Sequence, residues 1–460
     1  MRQRNVEREP GADCSRRDAM KRMGIGTLAL TGGALSVQAQ ERRPNVVLIF
    51  ADDQGTVDAN CYGSSDLYTP NMDRLAREGV RFTQFYVGAP VCSPSRASML
   101  TGRYPQRAEL ATNAWGSRGL PSRQVTIAEM LKDAGYKTAI FGKWHLGDDL
   151  ELSPTKQGFD EFFGHRVGCI DNYSHYFYWR GPNKHDLWRN DTPVWEDGNY
   201  FPDLIVREAK RYMTEHKNGP FFLYLPFNVP HYPLQGMEKY RKMYADLPDP
   251  RAMYAAFTST LDEKIGEVVD TIDSLGIRDN TLIIFLSDHG HSEEERTFGG
   301  GGSNGPFRGH KFTLWEGGIR VPCIMSWPGK LPQNEMRDEA AMSIDILPLI
   351  AHYCGADLPD RKLDGCDIVP VVESASAKSP HDVMHWELAK SWAVRQGEWK
   401  LVYNGQETTE DGITIPSVEY FLSNLTDDPG ESNNRAEQFP DMVARFRGLH
   451  EEWAAEVVLQ

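Results

Sequence analysis

The sequence predicts an α/β protein: a large mixed, mostly parallel sheet sandwiched by helices, followed by a smaller C-terminal α+β domain. Three observations carry that class. Four short unbroken apolar runs alternate with helical patterns, the sign of strands buried on both faces. All four run into charged or imidazole-bearing residues. After about residue 375 the alternation gives way to closely spaced hairpin signals.

At 460 residues a single core stops growing, so a large domain over 40–375 and a small one over 376–460 are expected. The chain holds 65 Asp plus Glu against 50 Lys plus Arg, a net charge of −15 that argues against a nucleic-acid partner held over a broad surface. Any anionic substrate then needs a local cationic pocket. Seven cysteines are too few for a disulfide-built scaffold, and no disulfide framework is expected.

Residues 1–39 read as an address. Paired Arg16 and Arg17 precede an apolar, Gly-rich run from Met23 to Leu35, and Val37-Gln38-Ala39 supplies small residues for cleavage. This resembles a twin-arginine export signal, so the expected location is periplasmic or extracellular. The run is too short to span a bilayer, and no later segment is long enough either. Without residues 1–39 the chain keeps 43 basic and 61 acidic residues, a net of −18.

The first strand, Asn45 to Phe50, leads into Asp52 and Asp53. Thr69-Pro70 opens a helix that stops at Gly79, and Thr126 with Glu129 forms a capping box for a helix ending at Gly135. The second strand, Thr138 to Phe141, delivers Lys143 and His145; the third, Phe221 to Leu225, delivers His231. An amphipathic helix from about Arg251 to Leu275 precedes the fourth strand, Thr281 to Leu286, which ends on Asp288 and His289. Gly299 to Gly302 reads as a loop, because no strand precedes it to make a phosphate cradle. Trp392 to Arg395 and Trp399 to Tyr403 form a hairpin, with a further strand at Tyr420 to Leu422 and a helix over roughly 436–457. Ligands of open α/β sheets sit outside the carboxyl ends of the strands, which is where these charged groups gather.

Cys92 precedes a helix start in which Ser93 can cap and Pro94 suits the first helical position. There a thiol meets unpaired N–H groups and the positive end of the helix dipole, a setting for an activated nucleophile or a bound anion. Asp52, Asp53 and Asp288 would repel one another if gathered without a cation, so the cluster requires a metal. Hard carboxylate oxygens suit calcium ahead of magnesium, which demands a stricter octahedron.

The run Cys92-x-Pro94-x-Arg96 with Leu100-Thr101-Gly102-Arg103 resembles the signature of the type I, formylglycine-dependent sulfatases. Further pieces follow in family order: Asp52-Asp53, Gly142 to Gly147, Pro230-His231, Ser287 to Gly290, Arg308 to Lys311, Glu316 to Pro322 and Asp428 to Glu431. The resemblance implies the alkaline phosphatase superfamily fold. It implies a maturation enzyme that oxidises Cys92 to formylglycine, and a metal held by Asp52, Asp53, Cys92, Asp288 and His289, the last standing where many members have Asn. Lys143 and Lys311 would grip the sulfate while Arg96 and His145 support the formylglycine. One hydroxyl of its hydrate attacks sulfur and the second later expels sulfate, a route that a plain Ser or Cys lacks. Imidazoles titrate near working pH, which suits His231 as acid for the leaving alcohol and His145 as base in the elimination.

Gly164 to Trp195 is rich in aromatics and hydrogen-bonding groups, among them Arg166, Asp171, His175, Tyr176, Trp179 and Trp188, a composition suited to a sugar ring. His310 is a further substrate-binding candidate, and Arg395 reads as structural. The expected substrate is therefore a sulfated carbohydrate. A phosphonate monoester or phosphodiester hydrolase on the same scaffold is the alternative, because both leaving groups need the same cations; a glycan-binding pseudoenzyme is the non-catalytic one. The sequence leaves the sugar, the sulfated position and the oligomeric state open.

Overall fold

The computed structural model describes residues 42–179, 181–408, 414–416 and 418–458; the segment read as an export signal lies outside them. All eight residues of the strand Asn45–Asp52 are buried. It pairs in parallel with Thr281–Ser287 on one side and Phe221–Pro230 on the other. Phe221–Pro230 in turn pairs in parallel with Lys137–Lys143, and that strand with Glu161–His165. The four apolar runs thus lie side by side, and their carboxyl ends open on one edge of the sheet.

Beyond Thr281–Ser287 the sheet turns antiparallel through Arg320–Ser326 and then Gly79–Tyr86. The second of these was read only as the stop of a helix. Its half-buried Arg81, Thr83 and Gln84 interrupt the buried residues, so it lacks the continuous apolar run of the inner strands.

Side chains alternate across the central strand. Val46, Leu48 and Phe50 join one core with the helices Cys92–Thr101, Ile127–Asp133 and Ile346–Cys354. Val47, Ile49 and Ala51 join the other with Pro70–Arg77, Phe201–His216 and Arg251–Ser274. Each fully buried aliphatic contributes roughly 1.5–3 kcal/mol, which fixes the register of strands whose ends carry charge.

Helix starts hold two lessons. The Thr126 and Glu129 capping box is present. Thr69 does not cap its helix; Asp262 accepts the amides of Asn71 and Met72 instead, from a helix distant in sequence.

The strands Val383–Leu388, Ser391–Gln396, Trp399–Tyr403 and Tyr420–Asn424 form an antiparallel sheet, and Phe446 of the helix Pro440–Val458 packs on Trp392, Val394, Leu401 and Leu422. This sheet is tied to the large one through buried polar links. Lys400 reaches Glu316 at 3.0 Å and Glu431 at 3.1 Å, and Trp386 donates to the Val87 carbonyl at 2.7 Å. Glu316 and Glu431, both in motif segments, are therefore joints between sheets. Arg395 donates to Tyr86 Oη, the structural role read for it. The six cysteines among the described residues are free thiols, and no described helix is long and apolar enough to cross a membrane.

Candidate active site

The strand ends are laced together by one backbone bond and one bond from backbone to side chain. The Asp288 amide donates to the Ala51 carbonyl and the Asp53 amide to Asp288 Oδ1, each at 3.1 Å. Asp53 (φ 66°) and His145 (φ 54°) both occupy the left-handed region, uncommon away from glycine and concentrated at functional turns. Each turns the chain sharply at the sheet edge. Gly168 lies against the His145 ring, where a Cβ would come within 2.9 Å of Cε1.

Cys92 is the first residue of its helix, and Val91 takes the cap position. Ser93 therefore does not cap: its Oγ donates to the His145 carbonyl at 2.6 Å and accepts the Ala114 amide at 2.9 Å. The Ser93 amide is satisfied from another loop, by Asn113 Oδ1 at 3.1 Å. Cys92 Sγ lies 3.3 Å from His289 Nε2 and 3.8 Å from Asp52 Oδ1. Burial alone would raise its pKa, but Lys143, Lys311 and His289 outweigh that and hold the thiol well below its ordinary value. One turn on, Arg96 bridges Asp52 and Asp288.

Lys143 Nζ bonds both Asp52 oxygens, at 2.9 and 2.7 Å. Lys311 Nζ lies 3.0 Å from Asp53 and 3.1 Å from Glu294. His231 donates through Nδ1 to the Tyr232 carbonyl at 2.8 Å, leaving Nε2 3.7 Å from Asp53 Oδ2. Burial, reinforced by Lys143, pushes His145 down to about 4 despite its link to Cys92, so its imidazole is neutral at working pH.

Ligand atoms of Asp52, Cys92, Asp288 and His289 lie within 4.8 Å of one another, as do those of Asp52, Asp53, Cys92 and His231. The protein's own cations compensate these carboxylates unequally: burial would raise Asp52, but Lys143, His231 and Arg96 outweigh it and hold that carboxyl well below its ordinary value. Burial, with Asp52 adding to it, pushes Asp288 up to about 7 against the opposing pull of His289 and Arg96. A divalent cation there would favour the ionised form of Asp288 beside Asp52, so the donor set fits a metal.

A cavity of about 840 Å³ opens over this centre, lined by Cys92, His145, His231 and Lys311 together with Trp115, Trp179, Tyr232, Phe312, Arg118 and Arg296. Arg296 lies over Tyr232 at 4.3 Å and Trp179 at 4.9 Å and pairs with Glu294, which also holds Lys311.

Of the sugar-binding candidates, Trp179 lines the cavity and Arg166, Asp171, His175 and His310 do not. Arg166 lies on Trp188 and pairs with Asp191. Asp171 accepts the amides of Tyr173 and Ser174 and the side chain of Gln235. His175 is fully buried against the Asn199 carbonyl, and His310 pairs with the Lys311 carbonyl and Glu293. These bonds hold loops together, while Arg166 Nε and His175 Nδ1 are buried with no hydrogen-bond partner among the described residues. Sequence reasoning passed over Asn113, Trp115, Arg118, Tyr232, Glu294 and Arg296, which sit on aperiodic segments; the one local signal was Gly116 between Trp115 and Arg118.

The sulfatase family model matches residues 44–356, and the chain belongs to that family. It is a sulfuric ester hydrolase. Human arylsulfatase A is 34% identical over 446 residues, covering 88% of this chain and 85% of that protein, and mouse steryl-sulfatase is 33% identical over 454 residues, covering 79% and 71%. Among solved structures, Ps i-CgsB is 29% identical with a TM-score of 0.81, covering 90% of this chain and 93% of that one, and has also been solved with k-i-k-neocarrahexaose. The PsFucS1 sulfatase from Pseudoalteromonas sp. is 26% identical with a TM-score of 0.78, covering 90% and 91%.

Proposed function

We propose that the protein removes O-sulfate from a carbohydrate, with Cys92 matured to formylglycine and a divalent cation, calcium first, held by Asp52, Asp53, Asp288 and His289. The observation that carries this reading is the cavity itself, where Cys92, Lys311 and two imidazoles meet the half-exposed indoles of Trp115 and Trp179. Indole faces suit the C–H face of a sugar ring. The solved complex of Ps i-CgsB with a neocarrahexaose supports the same substrate class.

The cation, when bound, supplies charge stabilisation at the sulfate oxygens, and the formylglycine hydrate supplies the nucleophile. Lys143, beside Asp52, and Lys311, beside Asp53, place two ammonium groups where negative charge develops. Because Nδ1 of His231 is held by the Tyr232 carbonyl, Nε2 is the atom that hands a proton to the departing alkoxide. Neutral His145 takes up the proton released when sulfate leaves. Arg96 keeps Asp52 and Asp288 together beneath the nucleophile. Export by the twin-arginine-like segment 1–39 and a separate maturation enzyme complete the reading.

The test is sulfate release by protein co-expressed with a formylglycine-generating enzyme, on defined sulfated saccharides beside matched phosphonate esters. Saccharide desulfation that stops with a chelator and returns with calcium supports the reading. Faster turnover of the phosphonates would overturn it.

A further inference from the structure

We propose that the tight turn at residues 115–118 recognises a second anionic group of the substrate, a sulfate or carboxylate beside the scissile ester. The inference rests on the carbohydrate reading above and narrows it to polyanionic glycans.

The turn is a two-residue hairpin. Trp115 and Arg118 exchange both backbone hydrogen bonds, at 2.9 and 3.1 Å, around Gly116 at φ 59°. Directly opposed residues project from the same face of a hairpin, and both of these line the cavity. An indole and a guanidinium are thus presented side by side. Trp115 is 49% exposed and packs its ring 5.7 Å from Phe177.

Charge balance singles out Arg118 within this cavity. Lys311 is answered by Asp53 and Glu294, and Arg296 by Glu294. Arg118 is exposed and donates to Thr112 Oγ1 at 3.5 Å; among the described residues no carboxylate lies within ion-pairing distance of it. In a chain of net charge −15, an unanswered guanidinium on the wall of a substrate cavity is a place for an anion.

The turn is also fixed relative to the chemistry. Asn113 Oδ1 accepts the Ser93 amide and Ser93 Oγ accepts the Ala114 amide, so the turn is stapled to the residue that follows Cys92. A guanidinium held at a set offset from the nucleophile selects where on the substrate the second anion stands.

The test uses matured enzyme and a set of saccharides that share one scissile sulfate. One member has no other charge, one a second sulfate, and one a carboxylate on the neighbouring ring. The quantity read is the ratio of kcat/KM on each dianionic member to that on the monosulfated one. Arg118→Ala should lower that ratio about 10- to 100-fold, through KM, for whichever anion the site takes, and Arg118→Lys should restore part of it. An unchanged ratio in Arg118→Ala, with saccharides still desulfated, overturns the subsite alone. Loss of turnover on every saccharide by wild-type enzyme that still cleaves an aryl sulfate overturns the carbohydrate reading and the subsite with it.

Discussion

Arg96 Nη2 sits 2.9 Å from Asp288 Oδ2, and the same nitrogen lies 3.2 Å from Asp52 Oδ1 on the neighbouring strand, with all three side chains fully buried. One guanidinium therefore joins two parallel strand ends. Arg96→Met should destabilise metal-free protein by about 3–5 kcal/mol in urea unfolding, because it leaves buried carboxylates short of a partner. Arg96→Lys should recover only part of the loss, since an ammonium is more strongly hydrated than a guanidinium and costs more to bury. An Arg96→Met protein as stable as wild type would refute the bridge.

The inner strands were legible because a strand buried on both faces is a continuous apolar run, as Val46 to Ala51 and Leu282 to Leu286 are. Their polar ends stood out against that background, which is why Asp52, Lys143, His231 and Asp288 could be named from sequence. Ser93 was misread because its local pattern suits a cap, whereas its bonds go to His145 and Ala114. The cavity wall was illegible for a related reason: Glu294 and Arg296 matter only because Lys311 and Tyr232 are brought to them from elsewhere in the chain. Arg166, Asp171 and His175 drew notice through composition, yet none of the three lines the cavity over Cys92.

His231 presents Nε2 near Asp53 while Nδ1 is held by the Tyr232 carbonyl. His231→Ala should therefore slow sugar sulfates about 10²- to 10⁴-fold and an activated aryl sulfate far less, because a good leaving group needs little protonation. Parallel kinetics on the two substrate types check this. Equal losses would make His231 a sulfate-binding group.

Glu294 holds Lys311 at 3.1 Å and pairs with Arg296, whose guanidinium lies over Tyr232. Glu294→Gln removes one anchor of Lys311 while keeping the shape. Turnover should fall about 10-fold or more, as expected for loss of a charge-assisted hydrogen bond. Unaltered kcat would show that Asp53 alone positions the ammonium.

His381 Nε2 lies 2.8 Å from Asp345 Oδ2, far along the chain from the catalytic groups. Burial would lower its pKa, but the Asp345 carboxylate outweighs burial and raises it. A raised folded-state pKa stabilises fully below the ordinary histidine value near 6.5, and the contribution is lost as pH rises through the folded value. The stability gap between wild type and His381→Gln should be roughly 1.5–3 kcal/mol at pH 6 and shrink by pH 9. Urea unfolding at both pH values checks it, and a gap that widens with pH would contradict the pairing.

The central claim is that catalysis runs through a formylglycine at Cys92, which sits at a helix start 3.3 Å from His289 and within the carboxylate cluster. The most direct measurement is mass spectrometry of the peptide spanning residues 90–96, made on the same preparations whose sulfate release is assayed. Activity should scale with the fraction of Cys92 converted to the aldehyde across hosts with and without the maturation enzyme. Full activity in protein whose Cys92 remains an unmodified thiol would contradict the account.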